Sequence, residues 1–120
     1  MGVQKYEDLT VWQKAMSLAV EVYKIIKLLP REEIYALADQ MKRAAVSIPS
    51  NIAEGQERNS TKDFAKFLYI AKGSKAELET QLMLCVRLEY LTQSQTEVAQ
   101  GLLSEIGKML NALTRKLVTD

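Results

Sequence analysis

A line of polar side chains at helical spacing is the part of this sequence whose residue types could do chemistry. Its members recur at steps of three and four, so on a helix they lie on one side. Apolar residues of the same segment form a core-facing arc beside them. A polar group buried there without a partner would cost about 1–3 kcal/mol, so the line must meet hydrogen-bonding neighbours. The line consists of Gln40, Arg43, Ser47, Asn51, Glu54 and Arg58.

A second polar line, formed by Ser74, Glu77 and Gln81, follows later in the chain with similar spacing. We predict that the two lines face each other across neighbouring helices, with Glu77 forming an ion pair with Arg43. Gly73 would let the two backbones approach closely. The predicted structural polar network is made of Gln40, Arg43, Ser47, Asn51, Glu54, Ser74 and Glu77.

Carboxylates in this network raise the alternative of an active or ligand-binding site. Glu54 and Glu77 could serve as general acid and base. Arginines beside them would keep both ionised, which is typical of a structural network. Ligand binding stays open as the second interpretation. The variant Glu77→Ala separates the two, because a structural role predicts a large loss of stability and a ligand-binding role predicts intact folding without binding.

The composition argues against an enzyme. The sequence contains no histidine and one cysteine, so it cannot assemble a zinc site of the usual kind, a histidine-dependent catalytic triad or an intrachain disulfide. Cys85 falls at a core position, where a buried structural thiol is expected. We therefore predict a protein without catalytic residues, metal or cofactor.

Nucleic-acid binding would have to be local, because the net charge is only +1. On the third predicted helix, a basic face covers about a third of the circumference, opposite the core line. Lysines can contact phosphates and a tyrosine can stack on a base, so RNA or DNA is a candidate partner. An ordinary solvated surface or a subunit contact is the alternative. The candidate contacts are Lys62, Lys66, Tyr69, Lys72 and Arg87.

Four helices must position these residues. Only two prolines and five glycines interrupt 120 residues, and apolar residues recur at helical spacing, so we predict an all-α protein. Short connections favour an antiparallel up-down four-helix bundle, in one domain spanning residues 1–120, with the second helix kinked at Pro49. Capping boxes mark two of the helix starts. The predicted helices run from Thr10 (box Thr10/Gln13) to about Leu29, from Arg31–Glu33 to Gly55, from Ser60 or Thr61 to about Leu91, and from Ser94 (box Ser94/Glu97) onward.

The first predicted helix is apolar over about half of its circumference, which is more than a surface helix needs. Val20 and Leu28 lie on the remaining face and would stay in water. We interpret this helix as a subunit contact, and the alternative is a deeply seated bundle helix with two exposed aliphatic residues. Trp12 lies in the apolar arc, where a core or interface anchor is favoured over a ligand-stacking role.

The chain shows no sign of a membrane protein. No apolar run approaches the ~20 residues that span a bilayer, and the N-terminus lacks the apolar segment of a signal peptide. We expect a cytoplasmic protein without a membrane partner.

Specific motifs occur in three parts of the chain. They are Asp8-Leu9-Thr10-Val11-Trp12-Gln13-Lys14-Ala15, then Arg43-Ala44-Ala45-Val46-Ser47-Ile48-Pro49 with Asn51-Ile52-Ala53-Glu54-Gly55, and finally Gly73-Ser74 with Glu77-Leu78 and Tyr90-Leu91. Over nearly its whole length, from Tyr6 to about Leu117, the chain resembles the bacterial four-helix-bundle proteins called 23S ribosomal RNA intervening-sequence proteins.

The resemblance implies a left-handed antiparallel four-helix bundle that assembles as a homopentameric ring and has no established biochemical activity. Some members of the family are encoded in sequences that interrupt ribosomal RNA genes. A similar group, the accessory proteins of diversity-generating retroelements, binds nucleic acid and a reverse transcriptase, and it supplies an analogy only. The expected function is therefore that of a non-enzymatic oligomeric protein, with a nucleic-acid-binding accessory protein as the alternative.

Overall fold

Four α-helices make up most of the chain. The structure, a computed structural model, describes residues 5–119, and within them it contains no strand. Single-turn 3-10 helices lie at Tyr6–Asp8, Ile26–Leu28, Arg31–Glu33 and Ser94–Thr96. The α-helices are α1 (Thr10–Ile25), α2 (Leu37–Gln56), α3 (Thr61–Arg87) and α4 (Glu97–Thr119). The prediction of an all-α four-helix bundle is confirmed.

The order of the helices around the bundle follows the order of the chain. Each helix packs beside the next, and α4 returns to pack against α1. The α1–α4 side of the bundle is therefore opposite the α2–α3 side. The short connections make neighbouring helices antiparallel, and the bundle measures 49 × 23 × 20 Å. Within residues 5–119, no helix has both the length and the apolar content needed to span a membrane.

The core is apolar and is built from one stripe of each helix. Leu18, Ile48, Leu82 and Ile106, one from each helix, are fully buried. Burying an aliphatic side chain of this size stabilises the folded state by roughly 1.5–3 kcal/mol. The stripes have the spacing of three and four that the sequence shows, so this core determines which face of each helix is hidden.

The connection between α1 and α2 differs from the prediction. Leu29 is extended because Pro30 follows it and disfavours a helical conformation at the preceding residue. The α2 helix begins at Leu37, and the predicted start at Arg31–Glu33 forms a separate 3-10 turn instead. Ile34, which the helical pattern places in the core, is consequently exposed.

The α2 helix then continues through Pro49 to Gln56. A bend of its axis at this proline stays a prediction.

Ser60 confirms one predicted helix start, since its side chain accepts a hydrogen bond of 3.1 Å from the Asp63 amide. The predicted capping box of Thr10 and Gln13 is wrong. Thr10 is already helical, and Gln13 Nε2 in the side chain donates to the Glu7 carbonyl at 2.8 Å.

A capping box does precede α4, but it lies two residues earlier than predicted. The Thr92 amide donates to Gln95 Oε1 at 2.9 Å, and the Gln95 amide donates to Thr92 Oγ1 at 3.2 Å. The predicted box of Ser94 and Glu97 is therefore wrong. Two overlapping Ser/Thr-x-x-Glu/Gln patterns occur in this stretch, and the sequence alone does not distinguish them.

The α3 helix ends at Arg87, before the predicted Leu91, because the backbone turns left-handed at Glu89, with φ of 64°. The Glu89 amide donates to the Val86 carbonyl at 3.0 Å, and the Tyr90 amide donates to the Cys85 carbonyl at 2.9 Å. This pair of bonds forms a Schellman cap, a termination in which glycine usually occupies the left-handed position.

Close approach between α2 and α3 occurs at Gly55 and not at Gly73. A Cβ atom added to Gly55 would lie 2.7 Å from Phe67 Cβ and 3.0 Å from Phe64 Cδ1. A Cβ atom added to Gly73 would meet nothing within 4 Å. The predicted role of Gly73 within the bundle is therefore wrong, because its Cα faces outward.

Candidate functional site

The centre of the predicted polar network joins α2 to α3. Ser47 Oγ and Ser74 Oγ lie 2.7 Å apart across the two helices. The Asn51 side-chain amide donates to Ser47 Oγ at 2.9 Å and to the Ser47 carbonyl at 2.8 Å. All three residues are half-buried, so their hydrogen bonds are only partly exposed to water. The structure thus brings Ser47, Asn51 and Ser74 together.

The charged members of the network form ion pairs along α2 instead of between helices. Arg43 Nε lies 3.0 Å from Asp39 Oδ2, and Arg58 Nη2 lies 2.9 Å from Glu54 Oε2. The predicted ion pair of Arg43 with Glu77 is wrong. Asp39 lies one turn away on the same helix, so Arg43 reaches it while keeping 79% of its side chain exposed.

Exposed pairs of this kind contribute only about 0.3–0.5 kcal/mol each. The spacing of Asp39 and Arg43 is the sequence signal that identifies this partner.

Gln40 and Glu77 lie outside the central group, in a shallow groove on the surface between α2 and α3. Gln81 lines the same groove but is only 6% exposed. Its Nε2 atom donates a long hydrogen bond of 3.4 Å to Glu77 Oε2, and its Oε1 atom is buried without a partner. The predicted network therefore divides into two parts. One is the half-buried centre of Ser47, Asn51 and Ser74, and the other is the groove, beside which the buried Gln81 Oε1 has no partner.

The two carboxylates of the network have separate partners. Glu54 is paired with Arg58 at the surface, and Glu77 holds the amide of Gln81. Within the part of the chain that the structure describes, no three His, Cys, Asp or Glu side chains come together as metal ligands. The observed geometry can fix the relative position of two helices and can accept hydrogen bonds in the groove.

The predicted basic face divides into a cluster and a single distant residue. Lys62, Lys66 and Tyr69 line a groove between the start of α3 and the end of α4. Lys72 Nζ lies 5.3 Å from the centroid of the Tyr69 ring. Arg87 lies roughly 22 Å further along the axis of α3, at 1.5 Å per residue. One short ligand could contact the first four residues but not Arg87.

The exposed side of α1 carries the apolar residues that the sequence singles out. Val20 is 56% exposed, and Leu28 is also exposed. Met16 and Tyr23, which the pattern places in the hidden arc, are exposed as well. Trp12 packs against the core, partly buried. In the single chain the wide apolar arc of α1 is therefore only partly covered.

One more polar contact ties the connections together at the end of the bundle. The Tyr90 hydroxyl donates to Glu33 Oε2 at 2.9 Å, and Glu33 Oε1 accepts from the Leu37 amide at 3.2 Å. The hydrogen bond to Glu33 raises the pKa of Tyr90 above its ordinary value of 10.0. Sequence reasoning missed this contact, because its residues are far apart in the chain and follow no motif.

Cys85 is buried, as its place in the core line predicts, and its Sγ atom lies 3.7 Å from the sulfur of Met41. Burial, with a smaller contribution from the charge of Glu33, raises the pKa of the Cys85 thiol from 9.0 to about 11. A thiol of this kind is unreactive at neutral pH.

The chain is similar to a known protein family and to a solved crystal structure. The sequence profile of the family described as 23S rRNA-intervening sequence protein matches residues 7–112. The chain is also similar to the crystal structure of a protein of unknown function from the S23 ribosomal protein family of Bacteroides thetaiotaomicron. The two are 32% identical with a TM-score of 0.81, over 88% of this chain and 98% of that chain. No curated protein sequence matches the chain.

Proposed function

The chain belongs to the 23S rRNA-intervening sequence protein family, and we propose that it acts there as a non-enzymatic subunit of a cytoplasmic homo-oligomer. The observation that carries the proposal is the apolar surface of the α1–α4 side. Val20 of α1 and Val98 of α4 are 56% and 60% exposed, and with Met16 and Leu102 they line one groove. We take the size of the assembly, a pentameric ring, from the resemblance alone.

Physical reasoning supports a second subunit over this surface. Scattered exposed aliphatic residues are ordinary, but here they are adjacent and line a common groove. Burying apolar surface stabilises an assembly by roughly 25 cal/mol per Å² removed from water. The absence of histidine from the sequence and the pairing of Glu54 with Arg58 support the non-enzymatic part.

Sedimentation equilibrium of the native chain tests the proposal, and we expect a mass several times that of one chain. Val20→Glu should lower this mass, because a carboxylate buried in an apolar contact costs several kcal/mol. Val118→Glu is the matched control, since Val118 is 62% exposed on another part of the surface. A native chain that sediments as a single subunit at micromolar concentration would refute the proposal.

A second candidate function is nucleic-acid binding, supported by the groove that Lys62, Lys66 and Tyr69 line together. Two ammonium groups and a phenol ring at one edge can contact a phosphate and stack on a base. An oligomer would repeat the groove on every subunit and so increase the avidity.

An electrophoretic shift assay tests this candidate with structured RNA and with single-stranded DNA, each at two salt concentrations. We expect a shift that weakens with salt and is lost in the variant Lys62→Ser/Lys66→Ser. Lys108→Ser, an exposed lysine on another part of α4, should leave the shift unchanged. No shift at low salt with either nucleic acid would rule the candidate out.

A further inference from the structure

The groove between α2 and α3 has the features of the second half of a subunit contact. It is lined by the apolar residues Leu37 and Leu84 and by Gly73 and Ala76. Gly73 and Ala76 are exposed, and a Cβ atom at Gly73 would meet nothing within 4 Å, so this part of the groove is open surface in the single chain. We propose that the α1–α4 groove of one copy docks against the α2–α3 groove of the next, with Lys24 binding Glu77. This inference rests on the proposed homo-oligomer.

The carboxylate of Glu77 indicates what an occupant of the α2–α3 groove must supply. Glu77 is exposed and lines the groove. Among residues 5–119, the hydrogen bond that Glu77 accepts is the long one of 3.4 Å from Gln81 Nε2, and it forms no ion pair. Gln81 Oε1 is buried, so an occupant does not reach it. The groove therefore presents a carboxylate, which a cationic hydrogen-bond donor would satisfy.

The α1–α4 groove carries such a donor. Lys24 lines it together with Met16, Val20, Glu21 and Val98. Within residues 5–119 neither Lys24 nor Glu21 forms an ion pair. The exposed apolar residues of this groove can pack on Leu84, which is exposed in the other groove. The two grooves thus offer apolar surface to each other, and Lys24 carries a charge opposite to that of Glu77.

The two grooves also lie at similar heights along the bundle. Lys42 of α2 lies over the Tyr23 ring, and Ser47 of α2 binds Ser74. Lys42 and Ser47 lie about 7.5 Å apart along α2, at 1.5 Å per residue. Tyr23 therefore lies about 7.5 Å from Ser74 along the bundle axis, toward the end at which α1 finishes. In the same direction, Lys24 lies about 1.5 Å beyond Tyr23 and Glu77 lies about 4.5 Å beyond Ser74. Lys24 and Glu77 therefore differ in height by roughly one helical turn.

The places of the α1–α4 and α2–α3 grooves on the bundle determine how copies of the chain assemble. The two grooves lie on opposite sides, since the cyclic order of the helices is that of the chain. A contact between unlike surfaces is heterologous and leaves one free groove at each end of a dimer. Because the grooves lie within about one helical turn of each other in height, copies add side by side and in parallel.

Engineered disulfides test this arrangement directly. The variant Val20→Cys/Gly73→Cys, mildly oxidised, should give a ladder of two, three and more cross-linked chains on a denaturing gel. Each single variant is the control and should remain one chain, because its cysteine faces a different groove. The native Cys85 can stay, since it is buried.

Charge reversal provides the second measurement, which does not depend on the cysteine variants. Lys24→Glu and Glu77→Lys should each weaken association about tenfold or more, and the double variant should recover most of the loss. Circular dichroism checks that every variant is helical.

The results separate this inference from the proposed homo-oligomer. An oligomeric native chain whose Gly73→Cys variant cross-links with itself, or whose Lys24 and Glu77 variants associate normally, would overturn the docking of these grooves and leave the oligomer intact. A monomeric native chain would overturn both.

Discussion

Ser47 Oγ and Ser74 Oγ lie 2.7 Å apart and form a direct side-chain hydrogen bond between α2 and α3. The bond is half-buried and is reinforced by the Asn51 amide, which donates to the same Ser47 oxygen. Removing one hydroxyl leaves the other without this partner. The pair therefore makes a prediction about stability that does not depend on any proposed function.

We expect Ser47→Ala and Ser74→Ala each to lower the free energy of unfolding by about 1 kcal/mol or somewhat more. The double variant should cost less than the sum of the two, because the second substitution removes a bond already lost. Urea denaturation measures all three. Ser50→Ala, at an exposed position of α2, is the control, and strictly additive losses would show that the hydroxyls are not coupled.

Gly55→Ala should lower the free energy of unfolding by about 1–3 kcal/mol, since the new methyl group overpacks the contact between α2 and α3. It would lie 2.7 Å from Phe67 Cβ, so one of the two helices must move. Gly101→Ala is the matched control within a helix, because its Cβ would meet nothing within 4 Å. That control should be stabilised by about 0.5–1 kcal/mol. Equal effects at the two glycines in thermal denaturation would contradict the close approach.

Glu89→Gly should raise the stability by roughly 1 kcal/mol, because Glu89 occupies a left-handed conformation that costs a residue with a side chain about 1–2 kcal/mol. Its φ is 64°. Glu89→Ala removes the carboxylate but keeps the Cβ atom, so it should gain little. If the alanine variant gained as much as the glycine variant, the charge and not the backbone would be responsible.

Tyr90 should make the stability depend on alkaline pH. Its hydrogen bond to Glu33 raises its pKa above 10.0 in the folded state. The folded state therefore holds the phenol proton more tightly than the unfolded state, so this stabilisation is complete below pH 10.0 and is lost as the pH rises through the raised value.

The variant Tyr90→Phe tests this dependence. The difference in unfolding free energy between the native chain and the variant should shrink as the pH rises from 10.0 through the raised pKa of Tyr90. Ionisation of Cys85, whose pKa is raised to about 11, destabilises both chains, and comparing them removes most of that contribution. A difference that stays constant with pH would argue against the Glu33 hydrogen bond.

The sequence predicts most of the fold because the information is local and repetitive. Apolar residues at helical spacing identify all four helices, and Leu18, Ile48, Leu82 and Ile106 are buried as that spacing requires. Helix ends are predicted less well. Ser60 caps α3 as expected, whereas the start of α2 and the boxes at Thr10 and Ser94 are wrong, since competing turn and capping patterns overlap there.

Within the candidate site, spacing predicts which residues share a face but not which of them meet. Ser47, Asn51 and Ser74 come together because short side chains at a helix contact have few other partners. Arg43 is long and flexible, so it binds Asp39 on its own helix instead of Glu77. The orphan acceptor of Gln81 depends on burial between two helices, which a one-dimensional pattern does not reveal.

The Ser47–Ser74 bond also distinguishes the native bundle from near-native competitors. If α3 slipped by one turn against α2, the apolar side chain of Ile70 or Leu78 would replace the Ser74 hydroxyl beside Ser47. The close contact of Gly55 with Phe67 opposes the same slip, because it requires a residue without a Cβ atom at that place. One pair of hydroxyls and one glycine thus fix the alignment of two helices that otherwise meet mainly through apolar side chains.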